Sequence, residues 1–204
     1  MKTSLRKDQI RVKAQTLFRE RGYAATSMRD LAEGLGIEAA SLYNHISSKE
    51  EILQDICFAM AESFFATVEP IALSHLCTSE KLAQCIEAHL NVISESLDAA
   101  AVFQHEWRHM GEPYLSDFKL MRRRYEQMFR RLIDEGIVAG VFRNVDSVLA
   151  ARTLLSAANW TYEWMKPTGK FQPAEITNVL IPILMYGICN STATESKAAA
   201  TQSL

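Results

Sequence analysis

The chain has 204 residues, 48% hydrophobic and 23% charged, a balance that excludes global disorder. No apolar run reaches the ~18–20 residues of a membrane span, and the polar, basic stretch from Met1 to Lys13 does not read as a secretory signal, so no membrane partner is expected. The formal charge of −2 is uneven: residues 1–49 carry nine Lys/Arg against five Asp/Glu, net +4, and the rest carry 13 against 19, net −6.

Apolar residues recur at three- and four-residue steps throughout, which predicts helices. The first places Ile10, Ala14, Leu17 and Phe18 on one face and stops at Gly22. Ser27-x-x-Asp30 is a capping-box variant that opens a short helix carrying Met28, Leu31, Ala32 and Leu35, broken by Gly34 and Gly36. A third short helix is expected from about Glu38 to His45. Ser48-x-x-Glu51 then opens a long run to Pro70.

Beyond Pro70, Leu82, Ile86, Leu90, Ile93 and Leu97 form one apolar stripe, and Val102, Phe103, Trp107 and Met110 another that ends near Gly111 and Pro113. Residues 114–135 alternate an Arg-rich face (Arg122, Arg123, Arg124, Arg130, Arg131) with an apolar one, and Gly136 is expected to end that helix. Asp146 caps a run through Trp160 and Trp164 that stops before Pro167. A last helix from about Pro173 contains Pro182, which is expected to kink it. Residues 191–204 read as a frayed Ser/Thr/Ala-rich tail. The four cysteines, Cys57, Cys77, Cys85 and Cys189, lack paired spacing and suit free thiols in a reducing cytoplasm.

The expected fold class is all-α, with an N-terminal three-helix, helix-turn-helix head and a C-terminal helical bundle. The expected division is a DNA-binding head at 1–50, with the helix-turn-helix at about 27–46, a ligand-binding and dimerisation domain at 51–190, and a tail at 191–204. In the head, helix, tight turn at Leu35-Gly36-Ile37 and second helix suit entry into the major groove of double-stranded DNA. The second helix offers Ala39, Ala40, Ser41 and Asn44 to base edges: small residues allow close approach, and Ser and Asn hydrogen-bond. Thr26 and Ser27 at a helix N-terminus, Tyr43 and His45 at a helix end, and Lys49 at the next helix start are the expected phosphate contacts.

These residues carry a resemblance. Thr26-Ser27-Met28-Arg29-Asp30-Leu31-Ala32, Leu35-Gly36-Ile37 and Ser41-Leu42-Tyr43-Asn44-His45-Ile46-x-x-Lys49-Glu50-x-Ile52-Leu53 resemble the TetR family of bacterial transcriptional regulators over about residues 7–67, with Asn44 at a position that is often aromatic. The resemblance implies a homodimer, a palindromic operator, a small effector bound in the C-terminal domain, and repression as the usual mode. The patterns Phe103-x-x-Glu106-Trp107-Arg108, Arg124-Tyr125-Glu126-x-x-Phe129-Arg130 and Asn159-Trp160-Thr161-Tyr162-Glu163-Trp164 are similar to a subgroup that responds to acyl-CoA thioesters. That likeness makes Phe103, Trp107, Tyr125, Phe129, Asn159, Trp160 and Trp164 the candidate effector contacts. The Arg-rich face could meet CoA phosphates, although such runs are more often solvated. The last two helices, Leu149–Trp164 and Ile176–Ile188, are apolar on more than one face and are the expected dimer seam.

A second reading comes from His105-Glu106-Trp107-Arg108-His109, a literal H-E-x-x-H. On a continuous helix its two His would hold zinc with Glu as general base, the arrangement of a zinc-dependent hydrolase. No H-x-x-G-x-x-H continuation follows, and no P-loop, G-x-S-x-G or dinucleotide glycine pattern is present, so no enzyme, cofactor or catalytic residue is expected.

Overall fold

A computed structural model describes residues 2–166, 169, 171 and 173–187, with side chains from Arg6 onward. Pro167, Ile188, Cys189 and the expected tail at 191–204 lie outside the described residues. The order of elements is α1 (Lys2–Arg21), α2 (Met28–Gly34), α3 (Ala39–Tyr43), α4 (Lys49–Ala72), α5 (Thr78–Glu95), α6 (Leu97–His105), a 3-10 turn (Trp107–His109), α7 (Tyr114–Val138), α8 (Ser147–Asn159), α9 (Thr161–Trp164) and α10 (Pro173–Tyr186). Among the described residues there is no β-strand, and no helix is long and apolar enough to cross a membrane.

The chain forms two compact units. One gathers the described residues of Met1–Ser63 with Glu95–Arg122. Its core takes Ile10, Ala14, Leu17 and Phe18 from α1, Leu31 and Ala32 from α2, Leu42 from α3, Ile52, Leu53 and Ile56 from α4, and Val102, Phe103 and Phe118 from the later segment, all buried. α1 packs against both α2 and α6. Asp98, in the first turn of α6, accepts hydrogen bonds from the Thr16 hydroxyl and the Arg19 guanidinium, both at 2.8 Å.

The second unit gathers the described residues of Phe64–Ser94 and Arg123–Leu204. It buries Phe64 and Val68 with Leu82, Cys85, Ile86, His89 and Leu90 of α5, Phe129, Leu132 and Ile133 of α7, and Ala151, Leu154 and Ala158 of α8. Its α8 and α10 each leave large apolar side chains uncovered. Leu149 and Trp160 are exposed on α8 and at its end, and Val179, Ile183 and Tyr186, at i, i+4 and i+7, share one exposed face of α10.

Several local signals act as the spacing predicts. Ser27 caps α2 in a complete capping box with Asp30, Asp146 caps α8 through the Leu149 N–H, and Gly22, at φ 84, stops α1 in the left-handed region that disfavours a Cβ. Others act differently. α4 runs through Pro70 to Ala72. The Leu82–Leu97 stripe is split, because α5 ends at Glu95 and Leu97 opens α6. The run to Trp164 is broken at Trp160 into α8 and α9. Gly136 does not end α7, which continues to Val138; Gly140, at φ 70, turns the chain instead. Gly136 serves packing: an added Cβ would run into the Phe142 ring, and its carbonyl accepts the N–H groups of Val141 and Phe142. At the start of α4, Ser48 Oγ accepts the Glu51 N–H, but the Glu51 carboxylate reaches back to Ser47 rather than closing on Ser48.

Candidate nucleic-acid interface and effector-binding residues

The turn between α1 and α2 is held from inside. Thr26 is 1% exposed, and its hydroxyl donates to the Gly22 carbonyl at 2.9 Å. Its side chain therefore braces the turn and is not offered to a phosphate. Ser27 is exposed but engaged with Asp30 in the capping box, and these bonds hold the Asp30 carboxyl below its usual range. Lys49 is tied to the same turn: its ammonium donates to the carbonyls of Tyr23 and Thr26, each at 2.7 Å, and lies 4.1 Å from the centre of the Tyr23 ring. Partial burial lowers the Lys49 pKa, against the pull of Asp30 and Glu106. The next residue, Glu50, accepts the Gly111 N–H at 2.7 Å. The start of α4 thus fastens the α1–α2 turn on one side and the segment after the 3-10 turn on the other.

α3 presents a different surface. Leu42 is fully buried and anchors it, while Ala40, Tyr43 and Asn44 are exposed and Ala39, Ser41 and His45 are half-buried. The α-helical spacing of 40, 43 and 44 puts these three on the face opposite the anchor. Small side chains at its start and a polar group at its end suit close approach to base edges. His45 Nδ1 is buried without a hydrogen-bond partner.

The expected effector contacts fall into three groups. Phe103 and Trp107 belong to the first unit, both against Phe118, with ring centres at 5.3 and 5.9 Å. The Arg122 guanidinium stands 5.2 Å from the Phe103 ring and 5.4 Å from that of Trp107. Trp107 Nε1 is buried and has no hydrogen-bond partner.

Tyr125, Phe129 and Asn159 belong to the second unit, where they meet around His89, a residue that no sequence motif marks. Its Nδ1 lies 2.9 Å from the Tyr125 hydroxyl and its Nε2 3.1 Å from Asn159 Oδ1. An amide oxygen only accepts, so Nε2 carries the proton and Nδ1 accepts from Tyr125. The imidazole stacks on Phe64 at 4.4 Å, and burial pushes its pKa down to about 4. No local motif could have revealed His89, because its partners lie 36 and 70 residues away.

Trp160 and Trp164 form the third group. They are 58% and 47% exposed and join neither cluster. The Arg-rich run also divides: Arg122 is drawn into aromatic rings, Arg124 lies 5.6 Å from the Phe65 ring, and Arg123 and Arg131 are exposed.

The H-E-x-x-H segment does not take the form that zinc chemistry needs. α6 ends at His105, Glu106 closes it, and His109 belongs to the 3-10 turn, so the two His do not share a continuous helical face. The His109 ring stacks on Tyr23 at 5.1 Å and 26°, with Glu106 3.4 Å from its Nε2. Among the described residues no three His, Cys, Asp or Glu side chains converge as metal ligands would.

Comparison with known proteins matches both halves of the chain. Residues 10–56 match the family described as bacterial regulatory proteins, tetR family, and residues 76–188 match the tetracyclin repressor-like C-terminal domain. The HTH-type transcriptional repressor KstR2 of Rhodococcus jostii is 29% identical over 182 residues, 87% of this chain and 88% of that protein. The structure of the ketosteroid transcriptional regulator KstR2 of Mycobacterium tuberculosis superposes with a TM-score of 0.86 at 26% identity, covering 91% of this chain and 96% of that one. The TetR family regulator PfmR of Thermus thermophilus is 32% identical, with a TM-score of 0.78 over 87% of this chain and 97% of that one. The all-α fold, the helix-turn-helix and these matches together place the chain in the TetR family of bacterial transcriptional regulators.

Proposed function

We propose that the protein is a homodimeric repressor in the cytoplasm that leaves a palindromic operator when a small effector binds. The observation that carries this reading is the α2–turn–α3 unit, with an exposed face of small and polar residues, in a chain whose two halves both match the family. In this reading Ala39, Ala40, Ser41 and Asn44 face the major groove, and Tyr43, His45 and the backbone around Ser27 meet phosphate. Thr26 and Lys49 support these contacts by holding the turn. The division of labour follows residues 1–50 for DNA and 51–190 for dimerisation and effector.

The exposed apolar side chains of α8 and α10 form the dimer seam, because apolar surface of this kind is stable only when covered. Two-fold symmetry then sets two half-sites about 34 Å apart on the duplex. The effector is an acyl-CoA thioester with a linear or ring-bearing apolar part, consistent with the aromatic rings around Phe103 and Trp107. Its binding shifts α4, which begins at Lys49, and so changes the spacing of the two heads in the dimer. A preference of about 3 kcal/mol for the altered spacing lowers operator affinity more than a hundredfold.

In this reading the protein is a regulator and not an enzyme, and no catalytic or cofactor-holding role is assigned to its described residues. The segment that suggested a zinc hydrolase is bent at His105 and is used to contact Tyr23. The test is selection of genomic fragments by the purified protein, followed by gel shift with and without acyl-CoA. A palindromic motif, bound by the dimer and released by a thioester, is the expected result. Binding without sequence preference refutes the reading.

A further inference from the structure

Resting on that reading, we propose that Trp107 senses the effector by donating its indole N–H to an acyl oxygen, and that the Trp107–His109 turn passes the contact to the helix-turn-helix. Trp107 Nε1 is buried and has no hydrogen-bond partner. A buried donor without an acceptor is costly, and such an atom in a candidate binding cluster points to a ligand that supplies the acceptor. The indole is flanked by Phe118 at 5.9 Å and by the guanidinium groups of Arg108 and Arg122 at 4.5 and 5.4 Å. An N–H donor beside cations and apolar rings selects a molecule with an apolar body and an electron-rich oxygen. The carbonyl of a thioester and the carboxylate of a free acid share that chemistry.

The second half of the proposal is geometric. Trp107 and His109 are the two ends of one three-residue turn. His109 stacks on Tyr23, and Tyr23 carries the Lys49 ammonium over its ring. Two residues further on, the Gly111 N–H is bound by Glu50. Tyr23, Lys49 and Glu50 all belong to the turn and helix start that position α2 and α3. A turn this short cannot re-aim Trp107 toward a ligand oxygen and leave His109 in place, so the His109–Tyr23 stack is the point at which effector binding reaches the DNA-reading unit. His109 is a positioning residue here and touches neither ligand nor DNA.

The test uses the full chain and a probe panel: butyryl-, octanoyl-, oleoyl- and cholyl-CoA, the matching free acids, and CoA alone. Binding is read by calorimetry, and release as the ratio of operator Kd with and without probe, which normalises any change in unliganded affinity. The indole N–H resonances, assigned with Trp107→Phe, report the donor directly. With the tightest-binding probe, the Trp107 resonance shifts downfield and Trp107→Phe binds about tenfold more weakly, the loss of one hydrogen bond. Thioesters acting alone place the acceptor at the thioester carbonyl, and free acids acting equally place it at a carboxylate. His109→Ala binds the probe as the parent does but loses most of the release at equal occupancy, and His109→Phe, which can still stack, restores it. A probe that releases operator while the Trp107 resonance is unmoved and Trp107→Phe is unaffected overturns this inference and leaves the repressor reading standing. An undiminished release ratio in His109→Ala overturns the relay. If no probe binds or releases operator, the acyl-effector reading itself fails and this inference with it.

Discussion

Replacing Lys49 by Met separates two roles that a lysine at a helix start can play. As a phosphate contact, its loss would weaken operator binding and reduce the dependence of log K on log salt by about 0.9, one counterion's worth. The structure gives it other work: two hydrogen bonds of 2.7 Å to the Tyr23 and Thr26 carbonyls and a place 4.1 Å over the Tyr23 ring. Hydrogen bonds from a charged donor contribute about 1.5–3 kcal/mol each when buried. The ammonium is only partly buried, so solvent screening reduces the pair to about 2 kcal/mol, with about 0.5 more from the ring. For a chain of this length the sum of about 2.5 kcal/mol corresponds to a loss of about 5–10 °C in Tm. Lys49→Met is therefore expected to lower Tm by that amount in a thermal melt and to weaken operator binding with an unchanged salt slope in anisotropy titrations. A slope reduced by a full contact at unchanged Tm would refute the reasoning and return Lys49 to the phosphate backbone.

Acid should weaken the protein through His89. Its folded pKa of about 4 lies below the unfolded value of about 6.5, so the unfolded chain binds the extra proton first. The contribution is fully present above pH 6.5 and is lost as pH falls toward 4, about 2 kcal/mol between pH 7 and pH 5. Urea unfolding at these two pH values should show a drop that shrinks by about that amount in His89→Gln; an equal drop in both proteins would assign the acid sensitivity elsewhere. On α10, Ile183→Glu places a charge in the exposed apolar row and should turn the dimer into monomers in sedimentation equilibrium, with a large loss of operator affinity. A dimer that survives this change would move the seam to another face.

Much of the head was legible because its information is local. The periodicity of Ile10, Ala14, Leu17 and Phe18, the Ser27-x-x-Asp30 box and the stop at Gly22 all act within one or two turns of helix, and the structure uses each as the spacing predicts. The misreadings occur where a residue serves a distant partner. Gly136 looked like a helix stop and is instead the space into which Phe142 packs. Lys49 looked like a free cation because nothing near it in sequence announces the Tyr23 and Thr26 carbonyls, 26 and 23 residues earlier. H-E-x-x-H, kept only as a second reading because the motif assumes a continuous helix, is interrupted where α6 ends at His105, which only tertiary structure shows. His89 carries no motif, and its role exists only once α5, α7 and α8 are packed together.

The same distinction limits what net charge can say. The +4 of residues 1–49 suggests an unspent positive surface, yet much of it is engaged. Arg19 bonds Asp98, Lys7 pairs with Glu51, Arg11 with Asp8, Arg21 lies 3.9 Å from Asp30, and Lys49 is bound to two carbonyls. Asp98 belongs by sequence to the acidic body, but it folds into the same compact unit as the head. The boundary in charge at residue 49 is therefore not a boundary in structure: residues 95–122 return to the head and bring Asp98 and Glu106 to it. Exposed pairs of this kind add little stability. Their effect is on which cations remain to face a phosphate, so a salt slope smaller than the head's formal charge suggests is what this arrangement predicts for operator binding.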